Sequence, residues 1–255
     1  MSAVVIHPSA LVAPSAVLGE GVVIGPFAVV EDEVAIGRET KIEAHAVIRS
    51  GTKMGEHNLV HPFAVLGGTP QDRRFAREPT ELVIGDHNVF REHVTAHRGT
   101  AHGGGLTRVG SHGLFMAGVH LAHDTKVGDH VILANNTLLG GHVELGDHVV
   151  TGGQVALAPF VRVGERAFLA GGAMVEKSVP PFVIAAGDRA RVRALNKVGL
   201  GRTGVPEPSQ KALERAFKAI FRSEVPQALA ALALVDDDDL FVRALARAVV
   251  AQPSR

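Results

Sequence analysis

The chain has 255 residues, 46% of them apolar, with 29 glycines, no formal net charge at pH 7 and no cysteine, tryptophan or tyrosine. That length suits one large domain, or one domain with an appendage. The missing cysteine excludes disulfides, a thiolate nucleophile and a thiolate metal site, and the neutral charge balance argues against bulk binding to nucleic acid. The start, MSAVVIHPSA, lacks a basic region followed by an apolar run, and no apolar span of ~18 residues occurs anywhere, so a cytoplasmic protein without stable membrane insertion is expected.

From Ile6 an apolar residue recurs every six positions, through Val12, Leu18 and Ile24 to Met54, Val60 and Leu66. The pattern resumes at Ile84, Phe90 and Ala96, slips by one residue, and then runs from Val109 through Phe115, Leu121 and Val127 to Val175. Of 26 such positions only Thr151 is not apolar. A helix, with a repeat of 3.6 residues, cannot keep one face at this period. A solenoid whose flat walls are one hexad long can: every sixth side chain points at the axis, and the next residue, very often glycine, is expected to turn the corner. Coils stacked at roughly 4.8 Å predict eight to nine coils in a prism roughly 40 Å long.

Two excursions break the period. Residues 67–83, GGTPQDRRFAREPTELV, carry five charged residues in QDRRFARE, and residues 101–106, AHGGGL, hold three consecutive glycines. Long loops on a rigid solenoid usually serve function. The solenoid is expected over residues 1–180 and a linker with a small helical domain over 181–255. PPFVIAAGDRARVRALNKVGLGRTG reads as a linker with a short helix. KALERAFKAIFRS, VPQALAALALV and DDDDLFVRALARAVVA read as helices, the last entered through an acidic capping run. Residues 185–234 carry nine Lys or Arg against four acids, a surface suited to an acidic partner.

Fourteen histidines are placed on this lattice. Counting each hexad from its apolar residue, His45, His57, His87, His93, His112, His130, His142 and His148 share the fourth position, and His7, His61 and His97 share the second. His102 lies in the glycine loop. Repetition at one register points to a structural preference of the lattice, for exposed or corner positions. His120, at position six, and His123, at position three, depart from it. His123 is followed by Asp124, which supplies what proton transfer needs: an imidazole titrating near neutrality and a carboxylate to fix its tautomer. One coil on, in the same register, lies Gly141, whose backbone N–H is a candidate oxyanion donor.

REHVTAHRGT (91–100), GGGLTRVG (103–110), HLAHD (120–124), LANN (133–136) and GGHV (140–143), in that order and spacing, resemble the UDP-N-acetylglucosamine O-acyltransferase family of hexapeptide-repeat proteins. PQD, EPT at 78–80, PPFVIAAG at 180–187 and the helical C-terminus extend the likeness over essentially the whole chain. The resemblance implies a left-handed parallel β-helix with a small α-helical C-terminal domain, assembled as a homotrimer with active sites between neighbouring prisms. It implies transfer of a 3-hydroxyacyl chain from acyl carrier protein to the glucosamine 3-hydroxyl of UDP-N-acetylglucosamine, the first step of lipid A biosynthesis. No cofactor is implied beyond the phosphopantetheine arm of the carrier, and no metal. His123 would be the general base, Asp124 its orienting partner and the Gly141 N–H the oxyanion donor. Gln71, Asp72, Arg74, His97, His120, His142, Asn196 and Arg202 would bind substrate, and Gly171 would set acyl length, its missing side chain admitting longer chains.

The sequence departs from the family pattern at several places. Arg74 replaces a usual Lys, Ala158 and Pro159 replace His-Gln, and Val198 replaces a Glu. These changes leave the proton chemistry intact and leave open a 3-amino sugar nucleotide as acceptor, giving an amide. A related N-acyltransferase carries an extra N-terminal domain, for which the pattern beginning at Ile6 leaves no room. A γ-type carbonic anhydrase and a purely structural solenoid are the remaining alternatives, the first predicting bound zinc and the second no acyl transfer.

Overall fold

The computed structural model describes residues 3–251. They form a left-handed parallel β-helix followed by four helices. Most strands are two residues long, and they stack in parallel into three walls of 11, 9 and 8 strands. The first, second and third walls begin with Val5–Ile6, Leu11–Val12 and Val17–Leu18 respectively. Register advances by 18 residues per coil where no loop intervenes, as in the pairs Ile6 with Ile24 and Leu121 with Leu139.

The six-residue period is the core. From Ile24 to Val175 every residue on it is buried, Thr151 included. Ile6, Val12 and Leu18 are not, because no coil covers the end of the prism; Ile6 keeps 45% of its surface exposed. Thr151 is accommodated by its hydroxyl, which lies 2.8 Å from that of Thr137 and accepts the Ala134 N–H. A second inward position, the fifth, was not anticipated. Val22, Ala28, Val34, Ala46, Val119, Val131, Val143 and Val155 all stand there and are buried, filling the corners of the triangle.

The corners are turned differently from expectation. Position four, not the residue after the core position, adopts the left-handed conformation: Phe27, Glu39, His45, His57, His87, His112, Asp124, His130, His142 and His148 all have φ between 54° and 61°. Histidine and aspartate tolerate this region better than most side chains. Glycine follows the core residue in every coil only where the third wall meets the first, at Gly19, Gly37, Gly55, Gly85, Gly110, Gly128, Gly146 and Gly164; on the other two walls it does so at Gly25, Gly67, Gly140 and Gly152. At Gly37 a Cβ would lie 2.5 Å from the Gly55 backbone, so close approach of successive coils excludes a side chain. On that same edge five histidine rings, His57, His87, His112, His130 and His148, stack with centroids 4.7–4.9 Å apart.

The two loops leave the opposite edge, between the second and third walls. The first is tighter than the expected 67–83, because the flanking strands lengthen to Val65–Gly68 and Glu81–Ile84, whereas the second starts earlier than the expected 101, directly after Thr95–His97, and ends at the strand Leu106–Val109. Within the expected linker, Val183–Ala186 and Arg191–Leu195 form two strands that extend the first wall, the last one antiparallel. The C-terminal domain therefore joins the prism through a shared sheet. Its helices are α1 (Lys197–Arg202), α2 (Glu207–Phe221), α3 (Gln227–Leu232) and α4 (Leu240–Val250). Asp239 caps α4 by accepting the Phe241 and Val242 N–H groups, as the acidic run predicts. No helix among the described residues is long and apolar enough to cross a membrane.

Candidate active site

The site sits where the second and third walls meet. His123 follows the second-wall strand His120–Leu121, and Asp124 takes the left-handed corner with φ 61°. The Asp124 N–H donates to Thr107 Oγ1 at 2.7 Å, and the turned side chain places Oδ2 2.7 Å from His123 Nδ1. Only 1% of the Asp124 side chain is exposed. Its Oδ1 accepts the Thr100 N–H at 2.8 Å and its Oδ2 the Thr100 hydroxyl at 2.7 Å. Burial pushes this carboxyl up, but the donors from Thr100 and His123 and the nearby His142 outweigh it and hold the group below its ordinary value. An ionised Asp124 accepts hydrogen bonds only, so His123 Nδ1 carries the proton and Nε2 offers its lone pair.

Gly141 lies under the ring. A Cβ there would stand 2.7 Å from His123 Cε1, so no side chain fits. The Gly141 carbonyl accepts the Phe160 N–H, while its own N–H has no acceptor among the described residues. His142 donates its backbone N–H to the His123 carbonyl and stands edge-on to the His123 ring, with centroids 5.4 Å apart. Its Nε2 is 3.6 Å from Asp124 Oδ2. Burial lowers the His142 pKa against the opposing charge of Asp124. Phe160, 68% exposed, stacks on His142 at 4.4 Å. From this pair a groove of about 920 Å³ runs along the third wall, past Lys126 and Arg162, to Ala248 of α4.

His120 and His97 complete the cluster. His120 Nδ1 is 2.8 Å from Thr95 Oγ1, and the His97 ring meets it edge-on at 4.8 Å. Burial, aided by the charges of His120 and His123, pushes His97 down to about 4, and its buried Nδ1 has no partner among the described residues. His120 is lowered in the same way. The first loop arrives through Asp72, which binds Arg74 at 2.8 Å and His102 Nε2 at 3.2 Å. The Arg74 hydrogen bonds hold the Asp72 carboxyl far below its usual range. Gln71 is exposed beside it.

One subunit thus gathers His97, His120, His123, Asp124, Gly141 and His142, with Asp72 and Arg74 at the rim. The other expected site residues lie elsewhere on the chain. Gly171 is exposed on the edge between the first and second walls. Asn196 is buried as the N-cap of α1, its Oδ1 accepting the Gly199 N–H and its Nδ2 donating to the Arg166 carbonyl at 2.8 Å. That leaves one N–H and one lone pair for any ligand. Arg202 is exposed at the end of α1 and has no ion-pair partner among the described residues. Sequence reasoning missed Thr100, Thr107, His102 and Phe160. Phe160 was findable, being one coil beyond His142 at the same corner, and so was Thr107, a third-wall strand residue one coil before Asp124; Thr100 and His102 reach the site through loop geometry that no period encodes.

His123, Asp124 and His142 also place ligand atoms within 4.8 Å of one another. Ligands around a tetrahedral zinc at 2.0–2.1 Å stand about 3.3 Å apart. The 2.7 Å contact of His123 with Asp124 is a hydrogen bond rather than a ligand edge. The arrangement suits proton transfer better than a cation.

Residues 179–252 match the family model described as UDP-N-acetylglucosamine O-acyltransferase, domain 2. The chain is 50% identical over 220 residues to the acyl-[acyl-carrier-protein]–UDP-N-acetylglucosamine O-acyltransferase of Myxococcus xanthus, covering 86% of this chain and 85% of that protein. It is 46% identical over 246 residues to the protein of the same name from an Anaeromyxobacter species, covering 94% and 96%. Among solved structures, the UDP-N-acetylglucosamine acyltransferase from Campylobacter jejuni superposes with a TM-score of 0.92 at 38% identity over 97% of both chains. The UDP-N-acetylglucosamine O-acyltransferase of Moraxella catarrhalis does so at 0.92 and 37% identity over 98% of both. With this likeness running through both the prism and the helical domain, the chain belongs to the acyl-[acyl-carrier-protein]–UDP-N-acetylglucosamine O-acyltransferase family.

Proposed function

We propose that this protein transfers a 3-hydroxyacyl chain from acyl carrier protein to the glucosamine 3-hydroxyl of UDP-N-acetylglucosamine, the first step of lipid A biosynthesis in the cytoplasm. The observation that carries the reading is the His123–Asp124 pair, bonded through Nδ1 and leaving Nε2 free. His123 Nε2 takes the proton of the 3-hydroxyl as its oxygen attacks the thioester carbonyl. The Gly141 N–H faces the negative charge that develops on that carbonyl oxygen. Collapse expels the pantetheine thiolate, which His123 reprotonates. The carrier's own phosphopantetheine arm brings the acyl group, so no resident cofactor or metal has a role. The basic residues along the third-wall groove suit the phosphate of that arm.

The functional unit in this reading is a homotrimer. The outward residues of the first wall, such as Leu59, Val89, Leu114, Ile132 and Phe168, and of the second, such as Val47, Val65 and Leu138, are apolar. The third wall instead carries ion pairs, Lys53 with Glu81 and Lys126 and Arg162 with Glu144. Two apolar faces meeting at one edge favour self-association through that edge. Gly171 stands on it, and partners packed there would bring their edges towards the His123 corner.

The test is an acyl-transfer assay of the purified protein with 3-hydroxyacyl carrier protein and UDP-N-acetylglucosamine, alongside sizing and metal analysis. Ester formation by a trimer without stoichiometric metal is expected. Amide formation on a 3-amino sugar nucleotide alone would redirect the acceptor assignment, and zinc with carbonate hydration would overturn the reading.

A further inference from the structure

Asp124 is a buried carboxylate at a left-handed corner, and such a group must be fixed by its surroundings if it is to orient a base. Its backbone is pinned by the Thr107 hydroxyl. Its carboxylate is pinned by Thr100 twice, through the backbone N–H on Oδ1 and the hydroxyl on Oδ2. Thr100 Oγ1 also accepts the Gly103 N–H at 3.1 Å and lies 3.2 Å from His102 Nε2, and its proton goes to Asp124 because an ionised carboxylate only accepts, at the shorter distance of 2.7 Å. The glycine loop closes over this arrangement. The Gly103 and Gly105 N–H groups both donate to the Thr100 carbonyl, at 3.0 and 2.7 Å. A Cβ at Gly103 would lie 2.2 Å from the Asp124 carboxyl carbon. Gly104 and Gly105 take φ of 98° and 78°, which side chains disfavour. The run GGG thus lets a loop lie directly on a buried carboxylate.

We propose that Thr100 is a positioning residue for the acyl transfer: with the loop 101–105 folded on it, it holds the Asp124 carboxylate in the orientation that fixes the His123 tautomer. The proposal rests on the general-base reading of His123. Thr100 touches no reacting atom and acts only through Asp124. Its hydroxyl is removed in Thr100→Val and kept in Thr100→Ser, while the backbone donor survives in both.

The test is a double-mutant cycle on the trimeric enzyme, using Thr100→Val, Thr100→Ser, His123→Ala and the combination of Val with Ala. A lost hydrogen bond to a buried charge predicts that Thr100→Val lowers kcat about tenfold to a hundredfold with KM for both substrates unchanged. Thr100→Ser should restore kcat to near the wild-type value. In the His123→Ala background the valine should cost nothing further, because the group it orients is gone. Equal losses in both backgrounds, or a rise in KM at constant kcat, would overturn the positioning role. If Thr100→Val does not assemble, Thr100→Ala enters the same cycle with the same criteria. Should His123→Ala itself keep full activity, the base assignment fails; a silent Thr100→Val beside an inactive His123→Ala defeats the Thr100 proposal alone.

Discussion

Two edges of one prism share a backbone conformation, and one repeats the same residues on it while the other does not. Where the third wall meets the first, position four is histidine in five coils, position two is glycine in eight, and each ring repeats the one before. Where the second wall meets the third, both loops leave the lattice, position four becomes Asp124, and histidine moves one residue back to His123. The comparison teaches that histidine content alone carries no chemistry here. The stacked rings answer a conformational demand for tolerance of positive φ. The imidazole assigned to catalysis is one the corner does not require, held instead by a carboxylate that does occupy the corner.

The sharpest way to break this contrast is to remove one histidine from each edge. His123→Ala should lower acyl transfer about 10²–10⁴-fold while the oligomeric state by sizing stays that of the wild type. His130→Ala, in the middle of the stacked ladder, should leave turnover unchanged. A comparable loss from both would mean that the ladder takes part in function.

The regular edge should instead reveal itself in stability. Gly37→Ala places a Cβ 2.5 Å from the Gly55 backbone, an overpacked contact expected to cost about 1–3 kcal/mol or more in unfolding free energy. Thermal or denaturant unfolding of the variant reads this directly. An unchanged midpoint would show that successive coils can separate there.

The edge that carries His123 should hold the protein's acid sensitivity. His97 is held neutral, its folded value of about 4 lying below the ordinary histidine value near 6.5. Between those values the unfolded chain binds the proton and the native state does not, so stability falls as pH drops through this window. The loss reaches at most about 3 kcal/mol. His120 and His142 are lowered too and add in the same direction. His97→Gln should flatten the dependence of melting temperature on pH between about 6.5 and 4, and an unaltered slope would exclude His97 as its source.

The smallest expected effect concerns the edge between the first and second walls. A Cβ at Gly171 meets only the Gly153 backbone, its nearest atom at 3.4 Å, so the subunit tolerates a side chain there. If a partner presents this edge to the acyl groove, Gly171→Met should shift preference towards a shorter 3-hydroxyacyl chain by roughly tenfold per two carbons. Assays across chain lengths decide it; an unchanged profile removes Gly171 as the ruler and turns attention to Phe160 and its neighbours Ala158 and Pro159.

The sequence by itself determined the prism. Parallel coils repeat the same contact every 18 residues, so a core visible as a six-residue period is the core that forms, and the period also isolates His123, His120 and the two loops as exceptions. The helical C-terminus was equally legible, since capping residues and amphipathic spacing are local. Only the tertiary structure decided the rest. The second inward position and the left-handed fourth position follow from closing a triangle, which the spacing of core residues does not specify. The extra strands at Val183–Ala186 and Arg191–Leu195 form because the last coil exposes a sheet edge that the chain folds back to cover. Thr100, His102 and Asp72 converge on the Asp124 corner across separations set by loop conformation rather than by the period. Asn196 is occupied in capping a helix because the chain reverses there. Contacts that repeat can be read from one dimension; contacts made once, by loops closing on a buried charge, are fixed only by the folded shape.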